Sequence, residues 1–491
     1  MVLLTLIPLG FVVVYSLDLG VGELWRLLDR PRTAELLSNT TRLTVAAMLT
    51  CATLGTAAAW LVERTTLPAP RVFNALLAAP LAVPAFVNSF GWLSLTPRVE
   101  GFGGALVIVT LSYYPLVYLP VAAMLRGLDG GLEETAHALG LGRARTFARV
   151  VLPQLRPALL GGSLLVGLHL LAEFGALQML RFPTFTTAIY DQYQSTFNGP
   201  AASALAAVLV LGCLLLLLAE LRVRGDHRYA RVGGGAARPL PRTRLGATTI
   251  PALASLSILV VLALGVPLGS LVHWLIAGSS TAFPLGTLTS TALTSIGLGL
   301  AAAAATSLCA FPLAWLCERH RGPLSTVLER STYFGSALPG IVVALAFITV
   351  TIRYARPLYQ TTAMLVAAYV ILFIPRAMIS QRAAIAQAPS MFDDVAHSLG
   401  VGALSRLRRV TLPLIAPGVG AGAALVFLAV VTELTTTLLL APIGTKTLAT
   451  EFWSNSSSIA YGAAAPYAAL MVVISAPATL LLTRQLGRRA S

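Results

Sequence analysis

Charge is scarce in this 491-residue chain: 11% of its residues are charged, against roughly a quarter in a soluble domain. Lysine occurs once, as Lys446. A phosphate-cradling loop of the G-x-x-x-x-G-K-[ST] kind needs a lysine beside a glycine-rich turn, and the sole lysine falls in a segment expected on the outer side of a membrane, which excludes ATP hydrolysis by this chain. The cysteines Cys51, Cys213, Cys309 and Cys317 lie in or beside apolar runs, with no C-x-x-C pair and no histidine at ligand spacing. They are small apolar side chains, so no metal centre and no disulfide framework is expected. Neither a Ser-His-Asp arrangement nor an H-E-x-x-H pattern is present, and His169 and Glu173 lack the further partner a hydrolase would need.

What the chain has instead is apolar length. Hydrophobic residues make up 56% and the mean hydropathy is +0.80, values of an integral membrane protein. The formal charge of +15 would suggest nucleic acid in a soluble protein, but here the basic residues sit between apolar spans and set membrane orientation. A bilayer core takes about 20 apolar residues per helix. Twelve stretches meet or approach that, centred on 2–17, 43–62, 72–95, 104–125, 158–180 and 201–221, then on 250–276, 291–316, 331–352, 361–381, 418–440 and 463–483. The opening run MVLLTLIPLGFVVVYSL has neither a basic region before it nor a small-residue cleavage site after it, so it is expected to be a retained span. When loops are assigned to alternate sides of the membrane, the arginines gather on one side, including Arg64, Arg126, Arg143, Arg149, Arg319, Arg382 and Arg408, and that bias places both termini in the cytoplasm. Residues 222–248, basic and rich in Gly and Pro, form a cytoplasmic linker between a first half, 1–221, and a second, 249–491.

The halves repeat each other. LEETAHALGLGRARTFARVVLPQLRP, from Leu132 to Pro157, returns as MFDDVAHSLGVGALSRLRRVTLPLIAP from Met391, with Glu134 on Asp394, Ala136 on Ala396, Leu139 on Leu399 and Gly140 on Gly400, 260 positions apart. Upstream, AWLVERT at 59 matches AWLCERH at 314. Each polar loop, 129–157 and 389–417, predicts a short amphipathic helix with acids in its first turn, where the helix dipole favours them, and a glycine at its end. The small residues Ala136 and Ala396 leave room for another protein to approach.

The pattern acid, x, Ala, x, x, Leu, Gly, then about ten residues, then Leu-Pro, resembles the signature loop of binding-protein-dependent ABC importer permeases. The resemblance implies that each loop is a coupling helix docked on an ATP-hydrolysing subunit: Glu134, Ala136, Leu139 and Gly140 on one copy, Asp394, Ala396, Leu399 and Gly400 on the other. Downstream, FPTFTTAIYDQY at 182–193 and ELTTTLLLAPIGTKTLATEFW at 433–453 look like the two halves of fused iron(III) permeases, departing from them at Thr435 and Ala441. The fold implied is all-α and integral to the membrane, a type I importer permease of about twelve transmembrane helices in two six-helix halves. The partners implied are two ABC ATPase subunits, which carry ATP and Mg, and an extracytoplasmic substrate-binding protein. The resemblance further implies that the chain itself takes no cofactor and no tightly bound metal, and that it resides in the bacterial inner membrane. A thiamine importer of the same class and an ion-driven secondary transporter are the alternatives.

Glu173 lies inside the fifth span, and the repeat superposes it on Glu433 in the eleventh. An ionisable group in hydrocarbon costs several kcal/mol and normally faces the bundle interior or a watery path. One expectation is therefore that Glu173 and Glu433, with His169 one turn from Glu173, flank the translocation path, where carboxylates would suit a hard trivalent cation. The alternative is structural: each glutamate hydrogen-bonds a neighbouring helix or caps the break made by the Gly or Thr residues after it.

Overall fold

The computed structural model describes residues 29–488, except 129, 197, 225–241, 278–284, 320–321, 323–324, 326–327, 329–334, 336–337 and 389, with a few positions before 29. The described residues are helical; the sole β-bridge joins Thr65 to Thr243. Among the described residues, eight helices are long and apolar enough to cross a membrane, nine if one bent pair is counted as a single span. Two shorter apolar helices, Gly340–Tyr354 and Tyr461–Pro477, stand where the ninth and twelfth spans are expected. Most of the first expected span, 2–17, most of the linker and residues 489–491 lie outside the described residues.

In the first half, helix α1 (Pro31–Arg64) begins with proline in its first turn, where the missing N–H costs nothing. At a rise of about 1.5 Å per residue its 34 residues run to about 50 Å, so it overshoots a hydrocarbon core of about 30 Å. Next come α2 (Pro70–Ala78) and α3 (Ala85–Leu93), whose axes bend by 92° across Pro80 and Pro84. α4 (Gly101–Tyr113) and α5 (Pro115–Gly127) form one span. The loop helix α6 (Gly131–Ala138) leads through a π-helical turn at 147–151 to α7 (Leu152–Ala172). After a break come α8 (Gly175–Met179), α9 (Phe185–Gln194) and α10 (Gly199–Arg224). Leu43, Cys51, Ile108, Tyr114, Tyr118, Leu155 and Val166, from α1, α4, α5 and α7, form one buried core. Helices approach closely through glycine: a methyl on Gly55 would come within 2.9 Å of the Tyr118 nitrogen, and one on Gly162 within 2.9 Å of the Leu116 carbonyl.

In the second half α11 (Thr249–Val260) and α12 (Val266–Ala277) form one span around a π-helical turn, followed by the 35-residue α13 (Leu285–Arg319). Then come α14 (Gly340–Tyr354), α15 (Thr362–Gln387), the second loop helix α16 (Ser390–Ser398) and α17 (Leu412–Val431). α18 (Thr435–Leu440), α19 (Leu448–Ser457) and α20 (Tyr461–Arg488) complete the order. The repeat is visible in backbone detail. Pro84 and Pro339 precede α3 and α14 with ψ of 144° and 142°, and π-helical turns at 147–151 and 407–411 precede α7 and α17. Gly422, at the position matching Gly162, likewise sits tight on Ser380, where an added methyl would meet its Cβ at 3.0 Å.

Contacts group the chain differently from the sequence repeat. Residues 29–188 gather with 211–279 in one compact unit, and 189–210 gather with 280–471 in the other. Thus α12, opening the second half, packs on α3 of the first: a Cβ on Gly91 would touch Pro267 Cα at 2.6 Å, and the Ser94 and Ser270 hydroxyls meet at 2.5 Å.

Candidate functional site

Two pairs of places carry the polar chemistry of this apolar chain: the loop helices α6 and α16, and the breaks after α7 and α17. Each loop helix ends in the same hydrogen-bonded cap. Gly140 N donates to the His137 carbonyl at 2.9 Å and Leu141 N to that of Ala136 at 3.0 Å; Gly400 N and Val401 N do the same with His397 and Ala396 at 2.9 and 3.0 Å. The cap needs a left-handed residue, and Gly140 and Gly400 have φ of +82° and +77°. These glycines are therefore conformational, as the sequence suggested.

The facing of each helix differs from a simple docking stripe of small residues. Ala136 and Ala396 turn inward and are buried in their own chain, while Glu134 is exposed. The accessible face is large and apolar: Leu139 and Leu399 are 78% and 76% exposed, joined by Leu132, Met391, Phe392 and Val395. A solvated loop does not ordinarily show such a cluster, and the 260-residue repeat of Leu139 in Leu399 shows it twice. The helical period of the sequence groups Leu132 with Ala136 and Leu139, and Phe392 with Ala396 and Leu399; the structure keeps the large residues on the accessible face and turns the alanines off it, and it adds Met391 and Val395, whose signal was their apolar character inside an otherwise polar loop. The side chain of Asp394 lies outside the described residues, although its backbone is helical.

An arginine that the sequence offered for membrane orientation and an acid offered for the first turn hold the first loop helix in place. Glu133, buried on the inner face of α6, accepts from Arg64 Nη2 at 2.6 Å. Burial pushes the Glu133 carboxyl above its ordinary range, and the Arg64 and His137 charges pull it partway back. His137 itself turns its Nδ1 to the Leu141 carbonyl at 3.0 Å.

At the breaks, both glutamates cap the short helix that follows. Glu173 Oε1 accepts from Ala176 N at 2.9 Å; Glu433 Oε1 accepts from Thr436 N at 3.0 Å and from the Thr436 hydroxyl at 2.9 Å. Their carbonyls are bound alike, by the Thr186 and Thr437 hydroxyls, each at 2.7 Å. Beyond that the two differ. The Tyr113 hydroxyl donates to Glu173 Oε2, whereas the position matching Tyr113 is Phe373. The His169 ring lies tilted against Tyr113, ring centroids 5.7 Å apart, and turns Nδ1 to the Leu165 carbonyl at 2.9 Å. Both glutamates are half-buried. The threonines of the downstream motifs are caps as well. Thr184 N donates to Thr187 Oγ1 at 2.9 Å at the start of α9, and Thr447 N to Thr450 Oγ1 at 2.9 Å at the start of α19. Among the described residues, no three His, Cys, Asp or Glu side chains converge as a metal site.

Comparison with known proteins agrees with this layout. A family model described as the binding-protein-dependent transport system inner membrane component matches residues 52–224 and again 310–490, one match for each repeat. The chain is 39% identical to an Fe(3+)-transport system permease of Haemophilus influenzae over 481 residues, covering 97% of this chain and 95% of that protein. It is 23% identical to a ferric transport system permease of Actinobacillus pleuropneumoniae over 76% of this chain and 57% of that protein. A sulfate transport system permease of Escherichia coli is 30% identical over 44% of this chain and 85% of its own length.

Proposed function

Because the chain belongs to the binding-protein-dependent transport system inner membrane components, we propose that it is the fused permease of an ATP-driven importer that passes iron(III) into the cell. The observation that carries the substrate is the 39% identity to an Fe(3+) permease along nearly the whole of both chains; the sulfate relative accounts for less than half of this one.

In this reading a binding protein on the outer face hands over iron, and two ATPase subunits, which hold ATP and Mg, dock on α6 and α16. Leu139 and Leu399 are the apolar anchors, with Glu134, Ala136 and Gly140, and Asp394, Ala396 and Gly400, shaping each docking helix. The capped ends at Gly140 and Gly400 stop those helices where the chain turns back toward the membrane. Both termini and the linker face the cytoplasm in a bacterial inner membrane. Glu173, Glu433 and His169 lie along the ion's route, where a half-buried carboxylate tied down by backbone donors offers a hard cation a passing contact and not a tight site.

The test is reconstitution of the permease with its ATPase and binding protein in proteoliposomes. Uptake of labelled iron that requires ATP and competes with unlabelled ferric ion is the expected result. Uptake of thiamine or sulfate without iron would overturn the substrate, and iron uptake that survives removal of the ATPase would overturn the importer class.

A further inference from the structure

Both core helices that overshoot the membrane, α1 and α13, end in the same pattern: Trp60-Leu61-Val62-Glu63-Arg64 and Trp315-Leu316-Cys317-Glu318-Arg319. Each pattern divides its charges the same way. The glutamate reaches sideways to the next core helix: Glu63 pairs with Arg126 of α5 at 3.2 Å, and Glu318 with Arg382 of α15 at 3.5 Å. Glu63 also accepts from Asn74 Nδ2 of α2 at 2.9 Å, and Asn74 Oδ1 accepts from the Tyr118 hydroxyl of α5 at 2.6 Å. The arginine reaches outward to the loop. Arg64 lies over the Trp60 ring at 6.0 Å and pairs with Glu133 of α6; Arg319 lies over Trp315 at 5.4 Å and donates to the Ala388 carbonyl, just before α16, at 3.3 Å. Trp60 in turn meets Phe147, which follows α6 within the first loop, edge-on at 4.9 Å.

A buried ion pair is a poor source of stability, because desolvation offsets its attraction, but it fixes geometry sharply. Arg64 and Glu133 are 9% and 11% exposed at their side chains, so they hold two helices in a single arrangement. A plain interfacial arginine would instead point to solvent or lipid headgroups. We propose that the Glu63–Arg64 and Glu318–Arg319 pairs are positioning residues that lock each loop helix to its helix bundle, so that displacement of a docked ATPase is carried into α1 and α13. This rests on α6 and α16 being the ATPase docking helices. The glutamate arm spreads the displacement to α2, α5 and α15, while the arginine arm receives it.

The experiment uses the whole transporter in proteoliposomes and reads iron taken up per ATP hydrolysed, together with ATPase retention. With Arg64→Met, and separately Glu133→Gln, the ATPase stays bound and hydrolyses ATP, while iron per ATP falls by roughly 2- to 30-fold. Exchanging the charges, Arg64→Glu with Glu133→Arg, restores most of the loss. Unchanged iron per ATP in the single variants, or failure of the exchange to restore it, overturns the relay; if a single variant does not assemble, the exchanged pair decides. Leu139→Glu with Leu399→Glu tests the docking reading apart from the relay. ATPase that remains bound to that variant removes the docking helices themselves, whereas its loss beside unaltered Arg64→Met transport removes the relay alone.

Discussion

Replacing Glu433 separates its two roles, because glutamine and alanine remove different things. Glu433 Oε1 receives two donors from Thr436, a residue with no exposure. Glutamine keeps a carbonyl oxygen for both and loses only the charge; hydrogen bonds to charged groups are worth about 1.5–3 kcal/mol and neutral ones about 0.5–1.5, so the cost to stability is about 1 kcal/mol. Alanine leaves buried donors at the start of α18 without an acceptor, at about 1–3 kcal/mol each. The same reasoning holds for Glu173, whose Oε1 serves Ala176 N. Thermal unfolding of the detergent-solubilised chain, followed by fluorescence-detected size exclusion, is expected to rank wild type, then Gln, then Ala at both positions. Iron uptake by the Gln variants then reports the charge alone, since their caps survive. Normal uptake by the double Glu173→Gln, Glu433→Gln chain would remove both carboxylates from the ion's route, and Ala variants as stable as the Gln ones would refute the capping argument.

Three further outcomes are expected. Tyr113→Phe removes a donor to Glu173 and should lower stability by about 1 kcal/mol in the same unfolding assay, whereas Phe373→Tyr in the other half should not raise it by as much. Gly140→Pro or Gly400→Pro forces φ to about −65° where the chain needs +82° or +77° and deletes a capping N–H; the protein should still insert, with transport lost and the ATPase detached or uncoupled in pull-down and hydrolysis assays. Gly162→Leu and Gly422→Leu push a side chain into neighbouring helices at contacts near 3 Å and should each cost about 1–3 kcal/mol or more, seen as reduced yield of folded protein.

Much of this architecture is legible in the sequence because a bilayer imposes a single strong period. Runs such as 104–125 and 361–381 had to be helices, and the 260-residue repeat had to mean two related halves. The glycine caps were legible for a similar reason, since a positive φ leaves few residue types to choose from. What hydropathy cannot encode is which helix a given helix touches. Every span is oily whatever it packs on, so the packing of α12 on α3 through Gly91 and Pro267 left only a small residue as its trace. The 92° bend was present as Pro80 and Pro84, but prolines also occur inside continuous helices, as Pro120 and Pro157 do here. Arg64 and Glu133 are 69 positions apart, and nothing local announces their contact. The inward turn of Ala136 is a matter of helix phase: Glu133 and Ala136, three apart, share the inner face, which leaves Leu132 and Leu139 outside.

The two halves agree where backbone must be held and diverge where it need not be. Both breaks are closed by a glutamate on the next helix's N–H and by a threonine on the glutamate's own carbonyl, and both loop helices end in identical caps. Around the glutamates the match fails. In the repeat Tyr113 corresponds to Phe373 and Leu116 to Arg376, which lies over Phe373 at 5.1 Å and interacts electrostatically with Glu433. A carboxylate held by a tyrosine hydroxyl and one facing an arginine cannot present the same field to a passing ion, even though their caps superpose. If Glu173 and Glu433 mattered only as caps, Glu173→Gln and Glu433→Gln would lower iron uptake only as far as each lowers stability. The differing surroundings predict instead that their effects on iron uptake are unequal at equal stability, a comparison that needs only the two single variants side by side.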